Sequence, residues 1–154
     1  MAVYEIKPNP EFSTRFMLYV LPTVSEMRKE AKRLIRKIGK NPDVTETVSG
    51  LFVPAPIYVN KKQIGDFTGE MFGYMFLSEE FLNPQIITHE CLHAAMEYER
   101  HCMWFSMNYH DDDDDKNEER LAYYLGDCTH AVWKVLVENR HVRTLKGFTK
   151  WLRH

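Results

Sequence analysis

Asn83-Pro84 fixes the start of a helix in this chain. Asparagine is a favoured N-cap, and proline suits the first helical position, where its missing N–H would have no partner anyway. From there Gln85–Met103 can run as one helix, with Ile86, Ile87, Leu92 and Ala95 available to bury part of it. Inside that helix stands His89-Glu90-Cys91-Leu92-His93. Residues four apart on a helix share a face, one turn apart, so both imidazoles present themselves on the same side.

That spacing is a metal-ligand spacing. Zinc accepts imidazole nitrogen at about 2.0–2.1 Å, and His89 and His93 can both reach one ion without strain. Glu90 lies roughly a third of a turn around from His89. Its carboxylate is placed to reach a metal-bound water instead of the metal, so one turn of backbone supplies two ligands and a base. Cys91 is rotated off the histidine face and reads as a small packed residue.

A catalytic zinc needs a third protein ligand and leaves one position open. A second helix is expected over about Glu118–Val137, and a helical hairpin would lay it against the first. Glu118 and Glu119 both stand in its first turn. Glu119 projects with Ala122, Tyr123 and Gly126, where small residues permit close helix contact, and Glu118 projects with Leu121, Ala122 and Leu125. Either can supply the ligand; the other is a carboxylate favoured by the helix dipole.

HECLHAAMEYER, followed some way on by NEERLAYYLGD, resembles the zincin-like metallopeptidases, in particular small domains encoded by bacteriophages. The resemblance spans roughly residues 70 to 136. It implies one Zn2+ held by His89, His93 and Glu119, with Glu90 as general base for zinc-bound water attacking a peptide carbonyl. It also implies a zincin-like α+β fold, a small mixed sheet with an edge strand beside the HExxH helix. In that layout Glu70–Ser78 becomes the edge strand, pairing with extended substrate. The simpler reading of its alternating Phe72, Tyr74 and Phe76 is core.

Elsewhere the chain reads as strand, helix, strands, helix, helix, an α+β layout in one domain over residues 1–154. Arg15–Leu21 is a strand stopped by Pro22. Ser25–Gly39 is an amphipathic helix on Met27, Ala31, Leu34, Ile35 and Ile38. Val48–Val59 is rich in β-formers but interrupted by Gly50, Pro54 and Pro56, which suits an edge strand or two short ones. Lys61–Asp66 is a turn, Trp104–Asn117 a loop, and a short basic, aromatic helix closes the chain.

Function classes narrow further. No apolar run approaches the roughly 20 residues that cross a bilayer, and the first ten residues lack a signal peptide's apolar segment. Three cysteines without paired spacing suit a reducing cytoplasm, which the resemblance implies is that of a phage-infected bacterium. Asp111–Asp115 lacks the alternating ligands of a calcium loop and reads as solvated loop. A net charge of −2 argues against a global nucleic-acid field, though Trp133, Phe148 and Trp151 interleave with basic residues near the C-terminus. The expectation is therefore a zinc metalloendopeptidase acting on protein or peptide. The alternative is a non-catalytic zinc-containing binding or regulatory protein, touching nucleic acid through that basic helix.

Overall fold

The strand Arg15–Leu21 (β2) forms where the sequence predicts it, with Phe16, Leu18 and Val20 buried on one side. The computed structural model describes residues 1–55, 71–105 and 114–142. Within them the architecture is α+β: a four-stranded mixed sheet in the order β1-β2-β4-β3, with α-helices on both faces. β1 (Ala2–Ile6) runs antiparallel to β2, β4 (Met71–Ser78) parallel to β2, and β3 (Gly50–Pro54) antiparallel to β4.

α1 (Val24–Lys37) starts at Thr23, whose hydroxyl oxygen accepts the Glu26 N–H at 3.2 Å while Glu26 takes the hydroxyl proton. The hydroxyl thus caps the helix and is itself held by the Glu26 carboxylate. The helix stops at Gly39, held at φ 74°, with the Gly39 N–H on Arg36 O and the Lys40 N–H on Ile35 O. Those two bonds satisfy carbonyls the helix end would leave open, in a Schellman motif that favours glycine. Met27, Ala31 and Ile35 bury against Val53 and Phe76 on one face of the sheet.

The opposite face carries α2 (Pro84–Phe105) and α3 (Asp114–Glu138). Asn83 Oδ1 accepts the Ile86 N–H at 3.0 Å, so the expected cap is in place. α2 buries Ile87, Cys91, Ala94 and Tyr98, and α3 buries Cys128, Val132 and Leu136, against Phe16, Leu18 and Phe72 of the sheet. Both helices extend further than the sequence suggests. Trp104 and Asp114–Asn117, expected as loop, are helical. Aspartate suits the positive end of a helix dipole, which explains the longer start of α3.

Two expectations about the sheet need correction. β4 is not the edge: it lies between β2 and β3, and its aromatics are core, with Phe72 and Phe76 fully buried. The edge beside α2 is β3, as the prolines at its end suggest. Nor do Phe72, Tyr74 and Phe76 share a face. The register with β2 shifts between Arg15 (opposite Met71) and Phe16 (opposite Gly73), leaving Phe72 as an extra residue. That irregularity sends Phe72 toward α2, stacked on Tyr98, while Tyr74 and Phe76 face α1.

β1 was not anticipated at all. It is tied to the far end of the described chain: Tyr4 Oη meets His141 Nε2 at 2.6 Å, and His141 Nδ1 meets Glu79 Oε1 at 2.6 Å. Among the described residues no helix is long and apolar enough to cross a membrane. The expected turn at Lys61–Asp66, the first residues of the aspartate run and the basic C-terminal helix lie outside the described residues.

Gly73 has a packing reason to be glycine, because a Cβ there would overlap the Phe52 ring. Gly73→Ala should therefore cost about 1–3 kcal/mol, as overpacking of a filled core does. Urea denaturation of the purified variant beside wild type measures it.

Candidate metal centre

α2 sorts its residues by side. Cys91, Ala94, Ala95 and Tyr98 face the sheet and α3, whereas His89, Leu92, His93 and Met96 are exposed. The two imidazoles converge as their spacing predicts. His89 Nε2 and His93 Nε2 stand 3.2 Å apart, with the rings at 80°. Two nitrogens at tetrahedral positions on zinc, each about 2.0–2.1 Å from it, would be about 3.3 Å apart. The pair therefore fits a single ion without moving. His93 is held below the ordinary histidine range, first by partial burial and then by neighbouring His89. The neutral imidazole that results is the ligand form.

Glu90 points the other way around the helix, under β3, and only 4% of it is exposed. Burial pushes its carboxyl above the usual carboxylate range, offset in part by His89 and by the backbone N–H of Phe52. Its Oε2 is buried and has no hydrogen-bond partner among the described residues, so Oε1 takes the Phe52 N–H.

The register of β3 explains why Phe52 can donate there. Ala55 N–H bonds Phe72 O at 3.0 Å, which makes Ala55 and Phe72 a hydrogen-bonded pair. Counting back along the ladder, Val53 and Leu51 also bond inward to β4. Gly50, Phe52 and Pro54 must then turn their backbone groups away from β4, along the sheet edge. Two contacts agree with that: Glu90 at Phe52, and Lys40 Nζ donating to Pro54 O at 3.2 Å.

Gly50 sets how closely α2 can approach. A Cβ on it would come within 2.7 Å of Ile86 Cγ2 and 3.1 Å of Glu90 Cγ. Beside this contact opens a cleft of about 370 Å3, walled by Val48–Gly50 on one side and by Gln85, Ile86 and His89 on the other. Neither Gly50 nor Phe52 stood out as a site residue in the sequence. The available signal was a glycine interrupting a β-rich run, a mark of close backbone approach.

The third ligand expected from α3 does not join the histidines. Among the described residues no group of three His, Cys, Asp or Glu side chains could hold a metal ion. Glu118 and Glu119 are exposed, and so are Ala122, Tyr123 and Gly126. The close helix contact expected along the Glu119 face is absent there, since a Cβ on Gly126 would meet nothing within 4 Å. α3 instead packs through Leu121, Tyr124, Cys128 and Val132. The Tyr98 and Tyr124 rings meet at 4.6 Å, five residues beyond His93 on α2. Glu119 lies five residues before Tyr124 on the antiparallel helix, and so beside the C-terminal half of α2.

The buried thiols offer no substitute. Cys91 and Cys128 are packed in the core between α2, α3 and the sheet, away from the exposed histidines, and burial pushes Cys91 up to about 12 and Cys128 well above its ordinary value. Tyr109, His110, Tyr123 and Tyr124 lie within sequence reach of a role in oxyanion stabilisation: Tyr123 is exposed, Tyr124 packs on Tyr98, and Tyr109 and His110 lie outside the described residues. Comparison with known proteins gives no match: no family model, curated protein or solved structure matches the chain.

The raised carboxyl of Glu90 has a thermodynamic consequence. A group whose folded-state value lies above its unfolded one favours its neutral form in the fold, so ionising it costs stability as pH rises. In metal-free protein, Glu90→Gln should be more stable than wild type at pH 7. The difference should shrink to nothing as pH falls to about 4, into the ordinary carboxylate range. Chemical denaturation of both proteins across that pH span measures it.

Proposed function

We propose that this chain is a zinc-dependent peptidase of zincin-like fold. His89 and His93 hold one Zn2+, and Glu90 is the general base. The observation that carries the reading is the pair of Nε2 atoms 3.2 Å apart on the exposed side of α2, with the adjacent Glu90 buried under β3. An HExxH helix lying under an edge strand, followed by an antiparallel helix, is the layout such a reading requires. When bound, zinc supplies polarisation of a substrate carbonyl and a water of lowered pKa.

The rest of the chemistry belongs to the chain. Glu90, with its carboxyl raised by burial, suits a group that takes a proton near neutral pH and hands it to a leaving amine. The outward backbone groups of Gly50 and Phe52 suit an extended peptide added as a further strand. A substrate carbonyl accepting the Phe52 N–H would take the place of Glu90 Oε1 and free that oxygen for proton transfer. The resemblance supplies Glu119 as the third ligand, with Glu118 as the alternative; both stand exposed on α3 away from the histidines, so either role requires α3 to shift along α2 when metal binds. The proposed setting is the cytoplasm, with protein or peptide as substrate.

One observation favours a second reading. Glu90 is tied to the Phe52 N–H and no third ligand joins the histidines among the described residues, which also suits a non-catalytic zinc-containing binding protein.

Metal content and casein cleavage separate the two. Wild type is expected to hold one zinc per chain and to cleave, and His93→Ala to lose the metal. Glu90→Gln should keep the zinc and lose cleavage by about 10²- to 10⁴-fold. Zinc held by wild type with no cleavage of unfolded protein would leave the binding reading. Loss of zinc in Glu119→Gln but not Glu118→Gln would assign the third ligand.

A further inference from the structure

β3 is largely buried, but a recess opens beside it on each face of the sheet. On its α2 face lies the cleft with His89 and Glu90. On its α1 face lies a second recess, an apolar groove of about 380 Å3 formed by Ile35, Val44, Leu51 and Val53, with Lys40 at its rim. Val44 is 56% exposed there, although it is a large apolar residue. Leu51 and Val53 turn their side chains to the α1 face, whereas Gly50 and Phe52 present theirs to α2.

We infer that the groove is a substrate subsite, and that the preferred substrate is an extended peptide carrying a leucine-sized apolar side chain beside Leu51 or Val53. The inference rests on the reading of β3 and the cleft as a peptide site. It adds which residue the peptide must carry, and where. Side chains of paired strands share a face, and successive residues alternate between faces. A peptide paired with β3 therefore cannot fill only the cleft. Residues opposite Gly50 and Phe52 point toward His89 and Glu90, and their neighbours point into the groove. The groove and the cleft are joined by the one strand whose backbone would hold the peptide, so a single extended segment occupies both. An apolar residue in the groove removes Val44 and Leu51 from water, and a polar one would not.

The probes are fluorescein-labelled decapeptides of alanine, serine and threonine in which one leucine is moved along the chain. Binding to the zinc-loaded full chain is read by anisotropy and cleavage by mass spectrometry, for wild type and Val44→Asp. Val44 is on the surface and outside the proposed catalytic group, so this variant leaves the core intact. Leucine at alternate positions is expected to tighten binding about tenfold, the scale of one apolar side chain in a pocket. Val44→Asp should erase that gain, read as the ratio of leucine-containing to leucine-free affinity within each protein.

The outcomes separate the two ideas. Cleavage with no leucine preference, or a preference that survives Val44→Asp, overturns the groove and leaves the peptidase. Leucine-dependent binding lost in Val44→Asp, without cleavage, supports the groove and sinks the hydrolase. Neither binding nor cleavage overturns both.

Discussion

The contact of α2 with β3 at Gly50 governs the rest of this molecule. It brings the Ile86 and Glu90 side chains of the helix so close to the strand that a single methyl group would be too many. Because of it Glu90 reaches the Phe52 N–H, Ile86 seats over the strand, and His89 and His93 are left on the exposed flank. A carboxylate buried this deeply carries a desolvation cost, and the single backbone bond to Oε1 offsets only part of it. The orphaned Oε2 is the remainder. Buried polar atoms without partners are uncommon and tend to mark sites that do chemistry, and this one stands at the cleft.

What was legible in the chain was local. Asn83-Pro84 announces a helix through a cap and a proline side by side, and Gly39 announces a stop through its own backbone freedom, whereas the Thr23 cap of α1 lies two residues before the expected start at Ser25. β2 betrays itself as an apolar run stopped by Pro22. The order of strands could not be read this way, because pairing joins residues far apart in sequence. Phe72, Tyr74 and Phe76 look like one face of an edge strand, yet one extra residue against Phe16 splits them across the sheet. The aromatic run then serves both core layers at once. β1 is short and bounded by polar residues, and only its partner β2 makes it a strand.

The site divides along the same line. His89, Glu90 and His93 lie on one turn, so their mutual geometry follows from helix parameters alone. Gly50 and Phe52 come from a distant strand, and their part depends on how the helix docks. The place of Glu118 and Glu119 depends on how two helices slide past each other. Small residues around Gly126 suggested one packing face and Leu121 with Leu125 another, and it is the second, joined by Tyr124 and Val132, that packs.

The hydrogen bond between Tyr4 and His141 spans 137 residues of chain. The core that supports α2 likewise joins Ile6 and Phe16 to Val132 and Leu136. Long loops are entropically costly to close, and contacts that depend on them form late in folding. During synthesis the histidine-bearing helix would emerge before the α3 residues that bury its inner side. Until those residues arrive Cys91 and Ala94 stay uncovered, so the support for the two histidines is among the last parts of the structure to be completed.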